Sequence, residues 1–79
     1  MRSKSTVAFL RNRFGLTPAE ARLVVDLVTG ISLKSSAKGR GVTYETVRRQ
    51  VKSVFRKTGT HRQSELVLTV IRAITEMRR

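Results

Sequence analysis

Arg49, Lys52 and Arg56 stand at i, i+3 and i+7 in a segment that also carries Arg48, Gln50, Ser53 and Lys57. Wound into a helix at about 100° per residue, these side chains make one strip, with Arg48 on one flank and Gln50, Ser53 and Lys57 around the other. The opposite arc holds Val47, Val51, Val54 and Phe55, and the only acid between 44 and 58 is Glu45. A solvated charged face normally mixes signs, and this one does not. Guanidinium groups offer planar donor forks that match phosphate oxygens or the O6 and N7 edge of guanine, with Lys a less geometric substitute. The chemistry on offer is recognition of anions and acceptor edges.

Bond-making chemistry lacks its residues. The chain has one His (His61), no Cys, and five carboxylates, Glu20, Asp26, Glu45, Glu65 and Glu76, spread singly. No pair has the spacing of a general acid/base dyad on one helix face, and no cluster could hold a metal. Lys38-Gly39-Arg40-Gly41 lacks the preceding strand and the Gly-Lys-Ser/Thr ending of a phosphate loop. A non-enzyme is expected, with no cofactor and no metal.

The elements that must position the strip fit in 79 residues, room for one domain. Seventeen Lys and Arg against five acids give a net charge of +12. Self-repulsion of that size is tolerated where a polyanion offsets it, nucleic acid before anionic membrane or an acidic protein. The apolar run Leu23-Val24-Val25 stops at Asp26, far short of the ~20 residues of a spanning helix. Met1–Thr6 leads into only four apolar residues before Arg11, which is no signal-peptide pattern. A cytoplasmic, nucleoid-associated location away from membrane is expected, and the lack of Cys fits a reducing compartment.

Helix punctuation is legible. Leu16-Thr17-Pro18-Ala19-Glu20 reads as a capping box, followed by Leu23, Val24, Leu27 and Val28 on one face and Gly30 as a stop. That predicts a helix over 18–29. Ser32 can cap a short helix over 33–38, with Gly39 and Gly41 bracketing its end. Thr43 can cap a third over 44–58, stopped by Gly59. Thr60-x-x-Gln63 offers a further box before a last helix, on which Leu66, Val67, Val70, Ile71, Ile74 and Met77 make one apolar face. Residues 1–13 are either a linker or a short amphipathic helix bearing Val7 and Leu10, with the domain proper over 14–79. Nothing alternates like a strand, so the fold class is all-α.

A short helix, a glycine-containing turn and a longer helix with a basic outer face make the layout of a helix-turn-helix. The region from Lys34 to Arg62 holds nine basic residues against Glu45. Leu16-Thr17-Pro18-Ala19-Glu20, Gly30-Ile31-Ser32, Thr46-Val47-Arg48, Lys57-Thr58-Gly59 and Glu65-Leu66-Val67 follow one another in the order and spacing of a known pattern. Together they resemble the LuxR-type helix-turn-helix domain, the four-helix DNA-binding module of many bacterial quorum-sensing and response regulators. The likeness covers about residues 14–74.

That resemblance implies sequence-specific binding of double-stranded DNA in transcription regulation, the helix over 44–58 lying in the major groove. The family's base-reading positions fall on Arg48, Arg49 and Lys52, and its phosphate-contacting positions on Lys34 and Thr46. The Thr46 hydroxyl would sit beside unpaired N–H groups at the positive end of its helix. Ser53, Arg56 and Lys57 are further phosphate contacts by geometry. Tyr44 and Glu45 are read as shielding the first turn and complementing the helix dipole. The family pairs through its last helix, where Leu68 lies off the core face, so a homodimer is expected. RNA polymerase or another regulator is a further partner that the family allows.

The chain departs from the pattern in its short helix. Ser36 and Arg40 stand where apolar residues normally pack, and Ser35 replaces the Glu of a second box. Two missing apolar side chains, at ~2–5 kcal/mol for a large-to-small core change, predict a loosely held helix. Arg40 could instead run its stem over the core and reach a phosphate with its head. The alternative function is a protein–protein module that pairs with a full-length regulator. It would need the seam at Leu68 but no base readers. The cations at the two ends, Arg2, Lys4, Arg78 and Arg79, imply only general attraction to a polyanion.

Overall fold

Three helix starts are fixed by hydroxyl caps. Thr17, Ser32 and Thr43 each sit in extended backbone, and each side-chain oxygen accepts the N–H three residues on, from Glu20, Ser35 and Thr46, all at 3.1 Å. Glu20 closes the first box by accepting the Thr17 N–H at 2.9 Å. The computed structural model describes residues 4–77, so Arg2, Arg78 and Arg79 lie outside the described residues. Within them the chain is all-helical: α1 (Lys4–Phe14), α2 (Pro18–Val28), α3 (Leu33–Arg40), α4 (Tyr44–Thr58) and α5 (Gln63–Met77).

The hub is α2, against which α1, α3, α4 and α5 all pack. Its Ala21, Leu23 and Val24 are fully buried, and Val25 and Leu27 nearly so. A helix apolar around most of its circumference belongs in the middle of a domain. Leu10 of α1, Val47 and Val54 of α4, and Leu66 and Val70 of α5 complete the core. Of the two readings of the first residues the structure shows the helix: α1 runs through Phe14, and Leu10 is as inaccessible as any residue of α2.

Several boundaries differ from the sequence reading, each for a local reason. Thr29 is the cap of α2, its hydroxyl bonded back to the Val25 and Asp26 carbonyls. Gly39 does not bracket α3 but lies inside it, and the stop is Gly41 in the left-handed region at φ +69°. The Thr60-x-x-Gln63 box does not form. Gly59, also at φ +69°, swings Thr60 over the end of α4, where its N–H donates to the Phe55 carbonyl and its hydroxyl meets that of Thr58 at 2.8 Å. Thr60 is thereby buried, and α5 starts at Gln63 with Glu65 accepting the His61 N–H at 2.6 Å. The core face of α5 is Leu66, Val70 and Ala73, whereas Ile71 and Met77, expected inside, are exposed.

Polar contacts hold α3. Ser36 is 2% exposed, and its hydroxyl donates to Asp26 Oδ2 of α2 at 2.8 Å, a buried bond in place of apolar packing. Arg40 donates from Nη1 to Gln50 Oε1 of α4 at 3.0 Å. Only Ala37 and half-buried Leu33 bring apolar surface to the core from this helix.

Two substitutions check this packing by urea denaturation. Leu10→Ala should cost about 2–5 kcal/mol, the range for a fully buried Leu, while a loss under ~0.5 kcal/mol would make α1 an ornament rather than part of the core. Ser36→Ala should cost about 1–3 kcal/mol because it strips a buried carboxylate of a donor, whereas Ser35→Ala, on the exposed side, should be near neutral.

Candidate nucleic-acid interface

The candidate interface follows from how α4 is held. Val47, Val51 and Val54 turn inward, and Arg48, Arg49, Lys52 and Arg56 are exposed on the other side together with Glu45. The strip, four cations against the single acid Glu45, is therefore an exposed surface. The turn at 41–43, between the Gly41 stop of α3 and the Thr43 cap of α4, sets α3 beside it.

Lys34, in the first turn of α3, approaches the same surface at the first turn of α4. Its Nζ lies 6.0 Å from the centre of the Tyr44 ring, and the Arg48 guanidinium carbon lies 6.0 Å from the same ring. Tyr44 is 43% exposed, so it works as a platform for two cations in addition to shielding the turn. Thr46 is exposed beside its cap, 2.9 Å from the Thr43 hydroxyl oxygen. The Thr43 oxygen already accepts the Thr46 N–H. If its own proton goes to the Thr46 oxygen, the Thr46 O–H is left to donate outward, the polarity an anion requires.

Lys57 and Ser53 are committed elsewhere. Lys57 Nζ donates to Glu20 Oε1 at 2.8 Å, in an ion pair whose carboxylate is 8% exposed. The amine offered by sequence geometry as a phosphate contact is thus drawn into the join between α2 and α4. Ser53 is half-buried, also bonds the Glu20 carboxylate, and accepts from Arg56 Nη2 at 3.3 Å. Arg56 stays exposed. No sequence signal linked positions 20 and 57, since their pairing depends on the angle at which α4 crosses α2. Gln50 is the other residue that the sequence left unassigned, and Arg40 reaches it across the α3–α4 join.

Away from α4, Leu68 is 49% and Ile71 44% exposed on the outer side of α5, next to a hollow lined by Ile71, Arg72, Thr75 and Glu76. His61 is exposed, 3.7 Å from Glu65, whose carboxyl is held below its ordinary range chiefly by the His61 backbone N–H. Among the described residues no group of three or more His, Cys, Asp or Glu could hold a metal ion, and no helix is long and apolar enough to cross a membrane. Comparison of the chain with protein-family models, with curated proteins and with solved structures finds no match.

Glu20 gives the region a pH signature. Burial opposes its ionisation, but bonds from Lys57, from Ser53 and from the Thr17 N–H outweigh it and bring its pKa from 4.5 down to about 2. A carboxyl lowered by folding stabilises the fold above its unfolded value and loses that contribution as pH falls through its folded value. Between pH 4.5 and 2 the native protein should therefore lose up to about 3 kcal/mol through this group alone. Glu20→Gln, which can still cap α2, should remove that share of the acid limb in a urea series across pH. An unchanged acid limb would mean that the ion pair contributes nothing.

Proposed function

We propose that the chain is a LuxR-type helix-turn-helix domain that binds double-stranded DNA sequence-specifically and serves bacterial transcription regulation. The observation that carries this reading is the split of α4: Val47 and Val54 fully buried, and four cations exposed on the reverse. A major groove about 12 Å wide admits one such helix. Arg49 and Lys52, central on the strip, meet base edges, with Arg48 beside them. Lys34 and Thr46 grip phosphates, joined by Arg56. The motif order from Leu16 to Val67 supports the family assignment, and the net charge of +12 supports a polyanionic partner.

The same reading makes the protein a homodimer, its seam on α5. Leu68 and Ile71, both exposed and separated by one helical turn, supply the apolar contact. This surface is also what a protein–protein module would use, whether toward another regulator or toward RNA polymerase.

Binding to a randomised duplex pool separates these roles. Arg49→Ala or Lys52→Ala should erase preference at one or two base pairs, costing about 1–3 kcal/mol of discrimination each. Lys34→Ala should instead weaken every duplex alike and make the log–log salt slope shallower by about 0.9. Salt-insensitive binding to a protein partner, with no duplex retained, would replace DNA binding by the interaction module. In sedimentation equilibrium Leu68→Glu with Ile71→Glu should yield monomer, and a persisting dimer would put the seam elsewhere.

A further inference from the structure

Arg40 and Gln50 share one hydrogen bond whose polarity is fixed by chemistry. An arginine head has only donors, so the atom of the Gln50 amide that it meets must be the oxygen, as the 3.0 Å contact from Nη1 to Oε1 has it. The amide is then locked with its oxygen toward α3. Its other lone pair lies beside a guanidinium charge that repels a second donor. Among the described residues the Gln50 side chain makes no other hydrogen bond, and no buried side-chain nitrogen or oxygen lacks a partner. Gln50 Nε2 is therefore not sealed from solvent, on a half-buried side chain. A residue able to donate and accept has been made donor-only on its accessible side.

The position of this donor selects its target. Arg49, Lys52 and Arg56 run along the centre of the outer face of α4, whereas Gln50 stands on its flank, in one row with Thr46 at i−4. A helix lying in a groove turns its centre to the base edges and its flanks to the walls, which are sugar and phosphate. Resting on the DNA-binding reading, we propose that Arg40 and Gln50 form a phosphate clamp on the groove wall. Arg40 holds the amide, and both residues present only N–H donors to one backbone phosphate. Arg40, which breaks the apolar pattern of α3, becomes a ligand-binding residue, and Gln50 its positioned partner. Acceptors on base edges would satisfy the same donors and are the competing outcome.

Gln50→Glu tests the clamp because it separates structure from binding. The carboxylate pairs with Arg40 better than the amide does, so thermal stability should be kept or raised, yet it presents negative charge to the phosphate. Affinity should fall about tenfold or more on every duplex, the loss expected when a bond to a charged group is removed. The ranking of sequences should stay unchanged. Asn12→Asp, an exposed change of equal charge on α1, controls for net charge and should cost less than about twofold. Arg40→Met should make the salt slope shallower by about 0.9. If Gln50→Glu binds as Asn12→Asp does, or if it changes which bases are preferred, the clamp is overturned while DNA binding stands. A wild-type chain that retains no duplex at any salt overturns the DNA-binding reading itself.

Discussion

The Glu20 carboxylate is the contact on which the rest depends. It closes the cap of α2 by accepting the Thr17 N–H, and it takes Lys57 from the far end of α4 across 37 positions of chain. One buried group thus fixes both where the central helix begins and where the last turn of α4 lies against it. Valines at 47, 51 and 54 could slide or roll on α2 with little change in buried area, because apolar contact has no direction. A charge-assisted bond has direction. By tying down the C-terminal turn it sets the roll of α4, and with it the arc on which Arg49, Lys52 and Arg56 face outward.

Helix α3 follows the same logic with poorer materials. Leu33-Lys34-Ser35-Ser36-Ala37-Lys38-Gly39-Arg40 has little apolar surface to bury, and packing alone would hold it weakly. Two directed contacts take over, Ser36 to Asp26 of the hub and Arg40 to Gln50 of the neighbouring helix. Ser36 and Arg40 stand one turn apart on the same side of this short element and tie it to two different helices. A count of apolar side chains alone predicts a loose helix, and it omits the polar partners that other elements supply.

Local signals were legible and relational ones were not. Thr17, Ser32 and Thr43 as caps, Gly41 and Gly59 as stops, and the alternation of Val47, Val51 and Val54 with cations on α4 are short-range facts that the sequence carries in full. Thr60 failed as a cap because the left-handed turn at Gly59 spent its N–H and hydroxyl on the end of α4. Ile71 looked apolar enough for the core, yet Leu66, Val70 and Ala73 already fill the side of α5 that faces α2. In the sequence Lys57 belongs only to the outer strip, because its pairing with Glu20 depends on how α4 crosses α2. The strip itself could be read from residues alone, while the inward turn of Lys57 and Ser53 and the link from Arg40 to Gln50 required the tertiary arrangement.

The proposed DNA-binding surface is the face of α4 opposite Val47 and Val54. Titrating the isotopically labelled protein with a short duplex, and following backbone and side-chain resonances by NMR, tests it most directly. The largest shifts should fall on residues 45–56, including the Gln50 side-chain amide, and on Lys34, while the outer face of α5 stays still. Shifts confined to Leu68, Ile71 and their neighbours, or none at stoichiometric duplex and low salt, would contradict it.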